Sequence, residues 1–449
     1  MGKPAAATDT RLVTASIADT LAMFAEVALP TLGKGIIIRR PMIVALAEAL
    51  GLDSRAVKRM QRLRAKYGAG PLVFPVPGRR QAVILNPDHV HRVLTGTPEP
   101  FTPATKEKNS VLGHFEPDVS LISPLPERRN RRRFNGEVLE EGCPVHSKAD
   151  AFMPVVQEEA ETLLARSRGE IAWEHFATAW HKIVRRVVLG DAARDDHELT
   201  DMLAKLRAVS NWAFLHPGRE DLAVQFHKRL NQHLARAEPG SLAARIAQIP
   251  KDEETSPSDQ VAHYLFAFDP GGMASFRTMA LLATHPDARM RAQAEIDAAG
   301  QEGRKNLPLV RACFLDSLRL WPTTPAIFRE TTEDVEWDGG TVPKNTHILI
   351  FTPFFHRDDE RLYYAHRFNP DLWLQNEPGN GWPLVPFSGG PGICPARDFV
   401  PMMGSAMIAA LMSAREIVLK NPPLDPGKPL PGTLDNYSLT FEVKPREVP

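Results

Sequence analysis

The stretch that most limits how this chain can fold is 386–400, Pro-Phe-Ser-Gly-Gly-Pro-Gly-Ile-Cys-Pro-Ala-Arg-Asp-Phe-Val. A loop rich in glycine and proline runs into a lone cysteine, Cys394, and an apolar helical pattern follows at once. Pro395 suits the first position of a helix, where its missing N–H costs nothing and its φ is already helical. Beyond it Phe399, Met402, Met403, Met407, Ile408 and Leu411 recur at helical spacing to about Ala414, the mark of a buried helix. Cys394 is therefore expected at a helix N-terminus, where unpaired N–H groups and the dipole favour an anion and draw a thiol towards thiolate. Gly389, Gly390 and Gly392 let the loop turn sharply and let a flat ligand approach bare backbone. An ordinary buried cysteine after a turn is the alternative at this point.

The 449 residues include three cysteines, Cys143, Cys313 and Cys394. That inventory of unpaired thiols fits a reducing compartment and not a disulfide framework. No CxxC or CxxH spacing supports zinc. Lys plus Arg (54) balances Asp plus Glu (54), so no overall field favours nucleic acid or an acidic membrane surface. The first ten residues lack the basic-then-apolar order of a signal peptide and are expected to be disordered. Glu26, Pro30 and Lys34 interrupt the apolar run 21–38, and nothing approaches the roughly 18 uninterrupted apolar residues of a membrane span. A soluble cytoplasmic protein is the expectation. Forty prolines argue against a long coiled coil or a simple bundle.

Residues 11–67 read as helical, broken at Pro30, at Arg40-Pro41 and around 51–54, with Asp53 or Ser54 as a cap. Two strands are expected at 72–76 and 81–85 around a Pro-Gly-Arg-Arg turn, then a short helix at 88–94. Residues 97–125 are irregular and proline-punctuated, and loops of that length are usually functional or disordered. A helix over 127–139 carries Arg128, Arg129, Arg131, Arg132 and Arg133, a run that by itself reads as a solvated face or a nucleic-acid patch. Helices follow from 145 to 233, with breaks at Gly169, Gly190 and His216-Pro217-Gly218. An apolar helical stretch covers 259–284, interrupted at Pro270-Gly271-Gly272, and further helices cover 286–299 and 308–320. Short strands are expected at 335–337, 347–351, 384–386 and 438–443. The fold class is mainly α with a minor β part.

Four segments, which fall along the chain in the order and rough separation that the family shows, resemble the cytochrome P-450 family. Phe387, Gly390 and Cys394 fit its pattern of Phe, two residues, Gly, three residues, Cys, one residue, Gly, with Ala396 in place of the last Gly. Asp316-Ser317-Leu318-Arg319 resembles its Glu-x-x-Arg, where i, i+3 spacing puts acid and guanidinium on one helix face. Phe368 to Trp373 resembles the segment that supplies an Arg to that pair, with Leu372 in the Arg position. In Ala267-Phe268-Asp269-Pro270-Gly271, Asp269 aligns with the family's acid and Pro270 with its adjacent Thr. Read alone, this last segment is a plain proline-kinked core helix.

The resemblance implies the cytochrome P-450 fold in a single large domain spanning 1–449, with Cys394 as thiolate ligand to haem b, iron protoporphyrin IX. Thiolate donation favours O–O cleavage. It further implies that Arg128, Arg132 and Arg329 hold the haem carboxylates, whose burial requires cations. Gly392 stands where a third cation is usual, so one carboxylate is expected to be less clamped, or held by His356 or water. Ala267, Gly271, Pro386, Phe387, Ser388 and Ala396 complete the cofactor surroundings. Asp269 is the expected proton relay. Pro270 lacks the usual hydroxyl, which Thr324 or a substrate hydroxyl would replace.

The implied activity is insertion of one oxygen atom from O2 into a small apolar organic substrate. Electrons would come from a ferredoxin and ferredoxin reductase. Phe214, Phe266, Phe268, Ile327 and Phe328 are expected to line the substrate pocket. Arg129, Arg131 and Arg133 are candidates for ferredoxin docking, with a solvated basic face as the alternative. Two other readings are a peroxide-driven or non-oxygenating haem-thiolate enzyme, which Pro270 favours but Asp269 disfavours by repelling a fatty-acid carboxylate, and a non-catalytic haem-binding helper, which Cys394 disfavours but Gly392, Leu372 and Pro270 favour.

Overall fold

A computed structural model describes residues 12–35, 38–210, 219–337, 339–375 and 378–446. The first ten residues, the break at 216–218 and Phe214 lie outside the described residues.

The helices dominate, and the ones near the cysteine form where their sequences dictate. Glu127–Leu139 turns Arg128, Arg131, Phe134, Asn135, Val138 and Leu139 inward, then stops at Glu140 in the left-handed region. The apolar stretch expected as one interrupted helix is two, Pro257–Ala267 and Asp269–Thr284, joined at Phe268. Pro270 therefore lies in the first turn of a new helix, where it forgoes no intrahelical bond. Pro286–Gly303 and Pro308–Leu320 likewise begin on proline.

At the amino end, Pro30 does not break the helix. It sits in the first turn of Leu29–Gly33, which follows Ile17–Met23 and a π-helical turn, Phe24–Ala28. Leu52–Tyr67 is entered through Gly51 in the left-handed conformation, not through a side-chain cap from Asp53 or Ser54.

A five-stranded sheet carries the remaining architecture, in the order Leu72–Val76, Arg79–Val83, His347–Phe351, Ala326–Thr331, Phe101–Thr102. Arg79–Val83 runs parallel to His347–Phe351, with Gln81 opposite His347, and the other pairs are antiparallel. Of the four expected strands in the last third, Val335–Trp337 and His347–Phe351 stand, and 438–443 becomes Thr440–Pro445. Residues 384–386 hold only a single bridge, Pro386 to Ser388. Strands at Ala326–Thr331 and Arg415–Asn421 lacked a clear alternating pattern in the sequence. The main core lies between helices, and a second apolar cluster covers the sheet.

Asp316 and Arg319 form a wholly buried pair at 2.5 Å. The missing Arg at Leu372 does not leave it loose. Trp373 Nε1 and the Asn369 N–H donate to Asp316 at 3.1 and 2.8 Å. Arg319 in turn donates to the carbonyls of His356, Ala365 and Arg367. Leu372 packs instead against Leu362, Tyr364 and Ala365. Every member of the pair is hydrogen-bonded, the condition under which a buried ion pair is tolerated.

Candidate functional site

The cysteine loop is held from both ends. His356 Nε2 accepts the Val385 N–H at 2.9 Å, the Ser388 N–H donates to Val385 O at 3.1 Å, and the Cys394 N–H donates to Phe387 O at 2.9 Å. Ser388 and Gly390 take φ of 65° and 58°. A Cβ on Gly390 would come within 2.1 Å of Leu94 O, so only glycine fits there.

The expected helix start at Cys394 is displaced. The helix is Phe399–Ala414, and residues 395–398 form turns. Burial accordingly dominates the free thiol and pushes it up, against a hydrogen bond from the Ala396 N–H and the charges of Arg132 and Arg397. The sulfur of this half-buried residue becomes a thiolate when a metal ion binds it and supplies the compensating charge.

Three cations gather nearby without acids. Arg329, on the inward-facing register of Ala326–Thr331, donates to Thr97 Oγ1 at 3.0 Å, to Phe328 O at 2.9 Å and to Ser388 Oγ at 3.2 Å. Arg128 donates to Ser120 O. Burial, with the charge of Arg132, pushes Arg128 down to about 10. Burial, with the charge of Arg128, brings Arg329 to about 10. Lys108 is the third, and no sequence motif pointed to it. Among the described residues no carboxylate pairs with any of the three. Such a cluster fits a buried dianionic ligand edge, and so fits haem. Arg132 sits differently, paired with Glu141 at 2.7 Å.

The other expected site residues divide. Asp269 is clamped by His181 Nε2 at 3.1 Å and Arg207 Nη1 at 2.6 Å. Burial raises its pKa, but Arg207 and His181 outweigh burial and hold the carboxyl below its ordinary range. Arg207 also lies 4.5 Å above the Phe266 ring. Ala267 ends its helix half-buried, beside Pro270.

Gly271 faces the core, since a Cβ there would meet Val400 Cγ1 at 2.6 Å and the Trp180 ring at 3.3 Å. Phe268 is buried against Trp180 and Phe399, and its carbonyl accepts the Trp180 indole N–H at 2.9 Å. Thr324 is exposed, and its carbonyl accepts from Thr352. Pro386, Phe387, Gly392 and Ala396 lie on the cysteine loop itself. His356 belongs to the loop anchor and not to the cation cluster. Burial and the charge of Arg319 push it down to about 3, so it is neutral. Arg131 is buried on Glu254 O, Ser123 and Asp118, which removes it from any docking face, whereas Arg129 and Arg133 are exposed.

Residues 268–429 match the cytochrome P-450 family model. Methyltetrahydroprotoberberine 14-monooxygenase of Papaver somniferum is 29% identical over 184 residues, 38% of this chain and 34% of that protein. Cyclooctat-9-en-7-ol 5-monooxygenase of Streptomyces melanosporofaciens is 32% identical over 189 residues, 39% of this chain and 38% of that protein. The chain thus spans about a third of the length of these curated relatives. The structure of retinoic acid bound cyanobacterial CYP120A1 superposes with a TM-score of 0.68 at 16% identity. That match covers 86% of this chain and 94% of that chain, and it speaks for the fold alone. The cysteine loop and the buried Asp316–Arg319 pair both fall within the matched residues 268–429, so this part of the chain is similar to the cytochrome P-450 family, and the fold of the chain is similar to that of the cyanobacterial structure.

Proposed function

We propose that this chain is a haem-thiolate monooxygenase that acts as one haem-binding unit. It inserts one oxygen atom from O2 into an apolar organic substrate, using electrons from a ferredoxin-type partner. The observation that carries this reading is the pairing of the lone loop cysteine, Cys394, with the buried acid-free cations Arg128 and Arg329 on neighbouring elements. Cys394 would ligate haem b, with Arg128 and Arg329 at its carboxylates. When bound, the haem supplies oxygen activation, which thiolate ligation favours.

The chain's own residues do the rest. The Ala396 N–H donates to the Cys394 sulfur and moderates its charge. Asp269 holds an ionised carboxylate between Arg207 and His181, and the His181 side chain is 43% exposed. That exposure lets His181 pass a proton from solvent to Asp269 Oδ1, provided the Arg207 pair loosens. Pro270 offers no hydroxyl, so a water or a substrate hydroxyl takes the place of that donor. Phe266, half-buried and packed edge to face on the core residue Phe115, supplies apolar surface for the substrate. The relative from Streptomyces melanosporofaciens is named for acting on cyclooctat-9-en-7-ol, which agrees with an apolar substrate class.

Reduced carbon monoxide difference spectroscopy tests this directly. Wild type is expected to show the thiolate-ligated Soret band and Cys394→Ser to lose it. A colourless wild-type protein would refute the reading. Pro270 also favours a peroxide-driven variant of the chemistry. Product formation with hydrogen peroxide, and none with NADH plus ferredoxin and its reductase, would select it.

A further inference from the structure

Lys108 lies in the short helix Lys106–Leu112, whose cap, Thr105, accepts the Lys108 N–H at 3.5 Å. Its Nζ points inward and donates to Pro103 O at 3.0 Å and to Phe328 O at 3.2 Å. The same Phe328 carbonyl accepts from Arg329 Nη1 at 2.9 Å. Two cations thus converge on one oxygen, an arrangement that repels unless an anion joins them. The adjacent Glu107 cannot serve, because it is engaged with Arg79 and His347. Burial, then Arg329 and Arg128, drive the Lys108 ammonium well below its usual range, with no carboxylate opposing them.

Position 392 explains why a lysine is needed here. A side chain on Gly392 would start 2.8 Å from Arg329 Nη2 and 2.9 Å from Thr97 Cγ2. No cation can therefore occupy that position while Arg329 keeps its place.

We infer that the half-buried Lys108 and the buried Arg329 and Arg128 form one carboxylate seat, in which Lys108 supplies the charge that Gly392 lacks, and that the occupant is the carboxylate edge of the haem. This rests on the haem-thiolate reading. Lys108 is a cofactor-positioning residue, contributed by the irregular 97–125 segment and absent from every motif that carried the family resemblance.

The test is the rate at which the holoprotein loses haem to excess apomyoglobin. It is run for wild type, Lys108→Met and Lys108→Arg, each loaded with haem b or with haem dimethyl ester, whose carboxylates are masked. A charge-assisted hydrogen bond predicts that Lys108→Met loses haem b about tenfold faster than wild type, with Lys108→Arg close to wild type. With the dimethyl ester the wild-type and Lys108→Met rates should coincide. Lys108→Met should also raise the melting temperature of the haem-free chain, because one of three mutually repelling charges in the seat is gone.

Equal haem b loss in wild type and Lys108→Met overturns the inference. So does an acceleration of the same size with the ester, which would assign the effect to packing or to another anion. Haem uptake failing in Lys108→Met and restored in Lys108→Arg supports it. Haem uptake failing in wild type sinks the haem-thiolate reading, and is thereby distinguished from failure of the seat.

Discussion

At His356 a single neutral ring ties the cysteine loop to the segment Thr352–His356. Its Nε2 must be unprotonated to accept the Val385 N–H, and its folded pKa lies near 3 against about 6.5 when unfolded. Between those values the unfolded chain binds a proton that the folded chain does not. Stability is therefore complete above pH 6.5 and falls as pH drops towards 3. His356→Gln keeps an acceptor without a titrating group and should flatten the urea-midpoint loss between pH 6.5 and 4. An unchanged slope would show that other groups govern it. Trp373 makes the same point about single atoms, since its indole N–H stands in for the guanidinium missing at Leu372. Trp373→Phe leaves a buried carboxylate oxygen short of a donor and should cost about 1–3 kcal/mol in chemical denaturation.

Among the elements, the junction at Phe268 between Pro257–Ala267 and Asp269–Thr284 governs the proposed proton route. The Trp180 indole fixes the Phe268 carbonyl, and Pro270 lies in the first turn of the second helix, so the junction is held by fixed contacts. Arg207, from His197–Ser210, holds Asp269 ionised. Arg207→Met leaves burial as the main influence and should raise the Asp269 pKa. The acid limb of turnover then moves to higher pH, and a profile superposing on wild type would remove Asp269 from the route. Pro270→Thr should raise the ratio of product formed to reductant consumed; an unchanged ratio would mean that no hydroxyl is wanted there.

Across the whole molecule charges balance, and a local basic face matters more than net charge. Once Arg128, Arg131 and Arg132 are committed internally, Arg129 and Arg133 remain exposed on Glu127–Leu139, with Arg133 partly satisfied by Glu137. Reduction by an acidic ferredoxin should slow with rising ionic strength, and Arg129→Glu should slow it at low salt only. Rates insensitive to salt would mean that the face is merely solvated. Among the described residues no helix is long and apolar enough to cross a membrane.

What was legible in the sequence is what repeats locally. The helices 127–139 and 308–320 show in spacing and proline placement, and Cys394 shows because a lone thiol after a glycine loop has few uses. The tertiary structure alone decided which polar groups meet. Lys108 and Arg329 stand more than two hundred residues apart in the chain and share one carbonyl. Trp373 closes on Asp316 across a gap that periodicity does not encode. Gly271 and Phe268 turn into the core because Val400 and Trp180 wait there. Helical periodicity follows from backbone geometry within a few turns. A buried charge's partner is fixed only when distant segments pack and exclude water.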